Sequence, residues 1–568
     1  MPDPNMKRII ECVPNFSEGR RPEVIQEIVK SIEDVEGVRL LDVDPGKATN
    51  RTVVTFAGTP EAVVDAAFRS VKKASELIDM RTHHGEHPRI GATDVLPLVP
   101  VSGVTLEECA EMARALAKRI ADELAIPTYC YEAAALRPER RNLAVCRKGE
   151  YEALAQRITD PAEMPDFGGG EFTEQAARSG ATVVGARDFL VAVNFNLNST
   201  STRRANAIAF DVREKGRPRR EGNPITGKIV RDAEGNPVMI PGTLKGCKAI
   251  GWYIEEYGIA QVSMNITDIR ATPLHVAFEE VCRAADRRGL RVTGTEIVGL
   301  VPRSCLLDAG RYFLRKQCRS LGISDDEIIK IAVKSLGLED LAPFKVHEKV
   351  IEDLLEPKGG KKLVDLTCQG FAEETASESP APGGGSVSAY MGAMGAALAT
   401  MVANLSAHKP GWDDRWEFFS DWAVKGHALM QRLLALVDED TEAFNRIMAV
   451  FAMPKGTEQE KAARAAALEE ATLYAAQVPL KTMKAAMEVF EVAHVMAVDG
   501  NPNSLSDAGV AILAARAAVR GAALNVMINA AGLKDTDKAK ALRGEAQALA
   551  AEADSREQTL ISEIEERL

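Results

Sequence analysis

At 568 residues the chain is too long for one hydrophobic core, and at ~150 residues per domain it implies about four units. Apolar residues make up 46% and charged residues 27%, the balance of an ordinary soluble globular protein. With 70 Lys+Arg against 82 Asp+Glu the net charge is −12, which argues against a duplex nucleic-acid binder with its large basic face. No apolar run approaches the roughly 18–20 residues that cross a bilayer, and Met1-Pro2-Asp3-Pro4 is not a signal peptide, so no membrane insertion is expected. The nine cysteines contain no C-x-x-C pair and all precede residue 369. Scattered reduced thiols in a cytoplasmic protein are the expectation, not a disulfide framework or a structural zinc site.

Short β-like runs alternate with helical patterns from Lys7 to about Asp160. Ile9–Val13 is a predicted strand and Pro22–Val35 a helix with Pro in its first turn. Val38–Val43 and Arg51–Phe56 read as strands separated by an Asp44-Pro45-Gly46 turn. Pro60–Ile78 is amphipathic, Asp94–Val101 a strand, Thr105–Leu124 a helix opened by Thr105 and Glu108 in capping-box spacing, and Thr128–Tyr131 a strand. Adjacent strands mixed with βαβ crossovers imply an α+β sandwich of ferredoxin-like type.

After Phe167-Gly168-Gly169-Gly170 the rhythm repeats without similarity in sequence. Phe189–Leu197 is a predicted strand, Thr202–Val212 a helix, Lys248–Glu255 and Ile259–Ile266 a hairpin, Pro273–Arg288 a helix, Val292–Val298 a strand and Arg303–Leu321 a helix. Two α+β subdomains, 1–180 and 181–321, then lead through a helical connector at 322–362, ending in linker-like Glu356-Pro357-Lys358-Gly359-Gly360-Lys361-Lys362, to an Ala-rich all-α domain at 363–568. The helices expected there are Ser386–Ser406, Trp412–Phe451, Glu458–Gln477, Pro479–Val498, Leu505–Ala531 and Thr536–Leu568, which together make a helical bundle.

Several constellations have the residue types for chemistry. His83-His84-Gly85-Glu86-His87-Pro88-Arg89 holds three of the eight histidines in five residues. It reads as a metal site through His83, Glu86 and His87, as a solvated polar loop, or as a loop presenting a proton-transfer histidine. The last is preferred because imidazole titrates near neutral pH. Val13-Pro14-Asn15-Phe16-Ser17 and Asp42-Val43-Asp44 end strands in polar residues, so Asn15 and Asp44 are either turn formers or groups pointing at the same space as the histidine loop. Residues 203–248 hold 11 Lys/Arg against five Asp/Glu, a basic island suited to a small polyanion or a solvated loop.

In the second half, Asp440 falls at helical spacing from Leu433, Val437, Phe444 and Ile447, which puts a carboxylate on an apolar stripe. There it is either a satisfied buried acid or an acid/base group with a raised pKa. Pro382-Gly383-Gly384-Gly385-Ser386 precedes a helix whose free amides suit a carboxylate or phosphate. Asn501-Pro502-Asn503-Ser504-Leu505-Ser506-Asp507 caps the Leu505–Ala531 helix; capping explains Ser504 but not so many polar groups together.

Glu11-Cys12-Val13-Pro14-Asn15-Phe16-Ser17-Glu18-Gly19, Asn50-Arg51-Thr52-Val53, the His83–Arg89 run, Ala249-Ile250-Gly251-Trp252-Tyr253, Val298-Gly299-Leu300-Val301-Pro302 and Leu341-Ala342-Pro343-Phe344 resemble the glutamate formiminotransferase family. The tail resembles the cyclodeaminase/cyclohydrolase helical domain through Ala381-Pro382-Gly383-Gly384-Gly385-Ser386-Val387, Leu436-Val437-Asp438-Glu439-Asp440 and Asn503-Ser504-Leu505-Ser506-Asp507. The order of the matches is that of the formiminotransferase-cyclodeaminase family. The loop at 216–244 is longer than in compact members.

The resemblance implies transfer of a formimino group from N-formimino-L-glutamate to tetrahydrofolate, then cyclisation to 5,10-methenyltetrahydrofolate with release of ammonia. It makes tetrahydrofolate, with or without a polyglutamate tail, the co-substrate, with no metal. It implies His87 as the transferase acid/base, residues 168–180 as the folate-contact segment and Asp440 as the cyclodeaminase residue. Amidine intermediates are cationic, so a carboxylate near the reacting carbon, with Asp44 as the candidate, would stabilise them or orient the imidazole. Asn15, Arg51, Arg89, Gly168, Gly169, Gly170, Gly180, Ser386 and Asp507 are then expected to bind folate or substrate. A transferase fused to a methenyltetrahydrofolate cyclohydrolase and a non-enzymatic folate scaffold are the alternatives. Ala- and Gly-rich helix faces such as Gly392–Gly395 suit a homo-oligomer.

Overall fold

The computed structural model describes residues 8–46, 50–84, 88–223, 226–355 and 362–568. Two units emerge, one of residues 1–305 with 336–356 and one of 306–335 with 357–568. The segment expected as a connector, 322–362, is thus shared between them, and its Gly-rich stretch at 356–361 lies outside the described residues.

The first unit contains two sheets built on one connectivity. In the first, the strands are β1 (Ile9–Cys12), β2 (Asn15–Phe16), β3 (Val38–Gly46), β4 (Arg51–Gly58), β5 (Thr93–Ser102), β6 (Thr128–Glu132) and β7 (Thr182–Ala186). Val13-Pro14 interrupts one antiparallel strand into β1 and β2, both lying between β4 and β5. The Pro22–Glu33 and Pro60–Leu77 helices link β2 to β3 and β4 to β5, giving the βαββαβ order of a ferredoxin-like sandwich. β7 and β6 extend it as parallel strands beyond β5. Ile10, Cys12, Val54, Phe56, Leu96 and Leu98 alternate along their strands and bury one face of the sheet against the helices. The Thr105–Glu108 capping box forms as expected: the Thr105 hydroxyl accepts from the Glu108 amide, and the Glu108 carboxylate accepts from the Thr105 amide.

The second sheet comprises β8 (Val191–Leu197), β11 (Cys247–Ile254), β12 (Ile259–Ile266) and β13 (Val292–Val298), in the order β11-β12-β8-β13, all antiparallel. The Thr202–Val212 and Leu274–Asp286 helices again complete βαββαβ. Between β8 and β11 the long loop carries a short ribbon, β9 (Arg217–Pro218) with β10 (Met239–Ile240).

One expectation fails here. Asp44-Pro45-Gly46 is not a turn but the end of β3, paired with Val53, Thr52 and Arg51. Among the described residues β3 pairs only with β4, and an edge strand is where a proline is tolerated in a sheet.

The second unit is a bundle of the Gly384–Ala407, Trp416–Phe451, Glu458–Asp499, Leu505–Ala530 and Thr536–Glu565 helices. Its core is dominated by alanine, including Ala393, Ala486, Ala515 and Ala522, so backbones approach closely. A β-carbon at Gly395 would lie 2.9 Å from the Ala511 carbonyl oxygen.

Two further expectations are corrected. Glu458–Gln477 and Pro479–Val498 are not separate helices but one 42-residue helix with Pro479 inside it. Proline has no N–H for the carbonyl four residues back, that of Ala475. Asn529 supplies the missing donor, its Nδ2 lying 2.7 Å from that oxygen, so the helix continues. The absence of membrane-length apolar runs also does not hold. Gly384–Ala407 and Pro502–Ala530 are long and apolar enough by length and composition, and 61% and 44% of their most apolar windows are buried within the bundle.

Candidate active sites

In the first unit, register defines a polar row on the sheet face opposite the helices. Asp44 pairs with Val53, Val53 with Asn15, and Asn15 with Val95, so these side chains share one face. At a strand spacing of ~4.8 Å, Asp44 and Asn15 are roughly 10 Å apart across β4. Asp44 is exposed. Asn15 is buried; its Nδ2 donates to the Val13 carbonyl at 2.9 Å, and its Oδ1 has no hydrogen-bond partner among the described residues. Glu11, paired with Ala57 and Val99, lies on the same face. Burial raises its pKa to about 7, with Arg187 opposing the shift.

A chain of hydrogen bonds ties this face to the histidine loop. The Glu18 carboxylate accepts from the amides of Arg20 and Arg21 at 2.8 and 2.9 Å and from Arg21 Nε. Burial works to raise its pKa, but these donors outweigh it and hold the pKa below the usual value. Next in sequence, Gly19 passes so close to β3 that a β-carbon would meet the Gly46 oxygen at 2.3 Å. Its amide donates to Asn50 Oδ1 at 3.0 Å, and Asn50, in the left-handed region at φ 48°, passes its Nδ2 to the His84 carbonyl at 2.9 Å.

His83 is buried and both ring nitrogens are used. Nε2 lies 2.9 Å from the Asn50 carbonyl oxygen, to which it donates, and Nδ1 accepts from Arg89 Nε at 3.4 Å. Burial lowers its pKa. This imidazole is satisfied in its neutral form and has no lone pair left for a metal. Gly85, Glu86 and His87 lie outside the described residues.

Arg89 is also buried. Its guanidinium reaches Glu152 through Nη2 at 2.7 Å and Nη1 at 2.8 Å, and Glu150 at 3.1 Å. It lines a cavity of ≈ 810 Å³ with His84, Pro88, Arg147, Glu150, Glu152 and Lys248. Lys248 comes from β11 of the second sheet, and the other lining residues come from loops and short helices outside the strands of the first sheet. Arg147 is tied to the buried Asp94, which also accepts from the Ile90 amide. Arg51 is half-buried, and burial lowers its pKa while the nearby Asp94 charge opposes this. Three cations, Arg89, Arg147 and Lys248, thus stand beside three carboxylates, Glu150, Glu152 and Asp94, a mixed set that suits a zwitterionic ligand.

The glycines expected at folate take backbone roles. Gly170 donates its amide to Ile158, Gly168 sits at φ 71° against Pro127, and a β-carbon on Gly169 would touch the Met164 side chain. Gly180, at φ 67°, lies against the Ile90–Gly91 backbone, where a β-carbon would come within 2.3 Å. None of them lines the ≈ 810 Å³ cavity. Glu18, Asn50, Arg147, Glu150 and Glu152 were not singled out from sequence. Only the quoted Asn50-Arg51-Thr52-Val53 and Glu18-Gly19 strings carried a signal, and Glu150 and Glu152 fall in an aperiodic loop.

In the second unit Asp440 is half-buried at a cavity of ≈ 130 Å³, not sealed in the core. Ser386 Oγ donates to Oδ2 at 3.0 Å, and the Ser386 backbone amide donates to the same carboxyl. Burial raises the Asp440 pKa, and the two Ser386 donors partly offset it. Gly385 admits the carboxylate, since a β-carbon there would lie 2.2 Å from Oδ1. Asn525, Asn529, Thr441 and Phe444 complete the wall. Ser386 itself is fully buried, so its hydroxyl serves Asp440 and not a ligand. Asp507 is elsewhere: Asn525 is 18 residues further along the same helix, roughly 27 Å at 1.5 Å per residue.

Comparison with known proteins follows this division. Residues 9–187 match the formiminotransferase domain, N-terminal subdomain; 192–356 the formiminotransferase domain; and 367–548 the formiminotransferase-cyclodeaminase family. The chain is 40% identical over 563 residues to the formimidoyltransferase-cyclodeaminase of Rattus norvegicus, covering 99% of this chain and 100% of that protein. A glutamate formimidoyltransferase of Streptococcus pyogenes is 41% identical over 310 residues, 55% of this chain and 94% of its own length. A methenyltetrahydrofolate cyclohydrolase of Methylorubrum extorquens is 42% identical over 187 residues, 33% of this chain and 90% of its own.

Proposed function

The chain belongs to the formimidoyltransferase-cyclodeaminase family, and from that premise we propose that it moves a formimino group from N-formimino-L-glutamate to N5 of tetrahydrofolate and then closes the product to 5,10-methenyltetrahydrofolate with loss of ammonia. The observation that carries this reading is the continuous match to a bifunctional relative, alongside separate matches of each part to single-activity relatives. It places the enzyme in histidine degradation and one-carbon metabolism.

For transfer, N5 attacks the amidine carbon and gives a tetrahedral intermediate in which two nitrogens compete to leave. The glutamate amine departs once protonated, and His87 is the general acid for that step. Arg89, Arg147 and Lys248 supply cations for the carboxylates of formiminoglutamate, and Asn15 Oδ1 is an acceptor for a ligand N–H. Asp44, on the same sheet face, offers a negative charge to the cationic intermediate. His83 holds the loop from behind as a neutral spacer between Asn50 and Arg89.

For ring closure, N10 attacks the formimino carbon, its proton is removed, and the exocyclic nitrogen takes up a proton and leaves as ammonia. Asp440, with its raised pKa, carries the proton between these nitrogens, and Ser386 sets its orientation. The bifunctional match favours a deaminase over a cyclohydrolase. Ammonia released from supplied 5-formiminotetrahydrofolate tests this directly; none released would leave the cyclohydrolase reading. A cytoplasmic homo-oligomer, in which the nine free thiols stay reduced, belongs to the same reading.

A further inference from the structure

Apart from Lys248, the basic island at 203–248 lies outside the cavities assigned to the two reactions, and part of it forms a cavity of its own. Arg203, Asn206 and Phe210 share one face of the Thr202–Val212 helix, and Arg213 follows at its C-terminus. The chain then turns into β9, bringing Arg217, Pro218 and Arg220 opposite that face around ≈ 610 Å³ of space. This is within the range of small-ligand pockets.

Arg213 and Arg220 are held in place without being neutralised. Arg213 donates from Nε to the Gly216 carbonyl at 3.0 Å and from Nη1 to the Ala249 carbonyl at 3.3 Å, and its guanidinium lies 3.9 Å from the Phe210 ring centre. Arg220 donates to the Gly227 carbonyl at 2.7 Å. Carbonyls and a ring orient a cation but carry no charge to cancel it. Of the four, Arg217 alone reaches a carboxylate among the described residues, Asp211 at 3.3 Å, and Asp211 is shared with Arg288. No Asp or Glu lines the cavity among the described residues. Burial of Arg213 lowers its pKa with no anion to compensate, in a chain whose net charge is −12. Pre-oriented guanidinium groups around one space are complementary to several anionic oxygens at once.

We propose that the cavity bounded by Arg203, Arg213, Arg217 and Arg220 binds a small polyanion, a molecule carrying two or more phosphate or carboxylate groups. The site gives the extended 216–244 loop a purpose: the loop supplies two of the four guanidinium groups, Arg217 and Arg220. Asn206 cannot discriminate among ligands, since its carboxamide is spent on both backbone groups of Gly251.

Calorimetric titration of the full chain at low ionic strength, with pyrophosphate and separately with citrate, tests this. At least one anion should bind saturably with one site per chain. Arg203→Gln with Arg220→Gln should weaken that binding by at least ~10-fold, the scale of losing charge-assisted hydrogen bonds. Both enzymatic activities and the melting temperature should stay at wild-type values. Pyrophosphate alone binding identifies a phosphate ligand, and citrate alone a polycarboxylate; either result supports the site. Failure of both anions to bind, or equal affinity in the double variant, overturns it. Arg213→Lys is the second check: it keeps a charge but loses the planar fork, and should weaken binding without unfolding the chain.

Discussion

Gly385 and Asp440 meet so closely that a β-carbon on the first would lie 2.2 Å from Oδ1 of the second. Gly385→Ala must therefore displace the Asp440 carboxyl or the start of its helix. Ammonia release from 5-formiminotetrahydrofolate should fall by ~10²-fold or more, with formimino transfer intact. Activity within a few-fold of wild type would show that the carboxyl need not sit where Ser386 holds it.

Ser386→Ala removes a hydrogen bond that favours ionised Asp440. The Asp440 pKa should then rise further, and the pH midpoint of ring closure assigned to this carboxyl should move upward. Asp440→Asn should abolish ring closure and let formiminotetrahydrofolate accumulate. Because the folded-state pKa of Asp440 is raised, its neutral form favours folding, and that contribution is lost as pH rises from the unfolded value through the folded one. Asp440→Asn should thus be at least as stable as wild type at neutral pH, as read by thermal unfolding.

His83 and His87 should part company. His87→Ala is expected to lower formimino transfer by ~10²–10⁴-fold at unchanged melting temperature. His83→Ala leaves the Asn50 carbonyl and a buried Arg89 N–H without partners, at a cost of about 1–3 kcal/mol in stability. Equal and purely catalytic effects of both changes would contradict a structural His83.

Glu11 predicts a pH-dependent stability of the first unit. Its pKa of about 7 lies above the ordinary value of 4.5, so its contribution to stability is greatest below about pH 4.5 and declines as pH rises towards 7, by on the order of 3 kcal/mol. Glu11→Gln should flatten the melting temperature over that window. An unchanged slope would place the titration elsewhere.

Much of this was legible in advance because it rests on local pattern. The Thr105–Glu108 box, the repeated βαββαβ rhythm and the Ala-rich bundle are written in spacing and composition. The failures are places where distant residues overrule local ones. Pro45 continues a strand because β3 has a free edge, and Pro479 continues a helix because Asn529, 50 residues later, takes its orphaned carbonyl. Asn529→Leu should accordingly destabilise the bundle by about 1–3 kcal/mol in denaturant unfolding. The site shows the same division. Asp440 stood out by helical phase, but Glu150 and Glu152 lie in an aperiodic loop that only the fold brings to Arg89.

Catalysis of both reactions in sequence by one chain is the expected behaviour. It is tested most directly by supplying formiminoglutamate and tetrahydrofolate to the purified protein while recording methenyltetrahydrofolate absorbance and ammonia together. One ammonia is expected per methenyl group formed, with Asp440→Asn stopping both signals while glutamate is still released. Methenyl formation without matching ammonia, or full turnover in that variant, would contradict it.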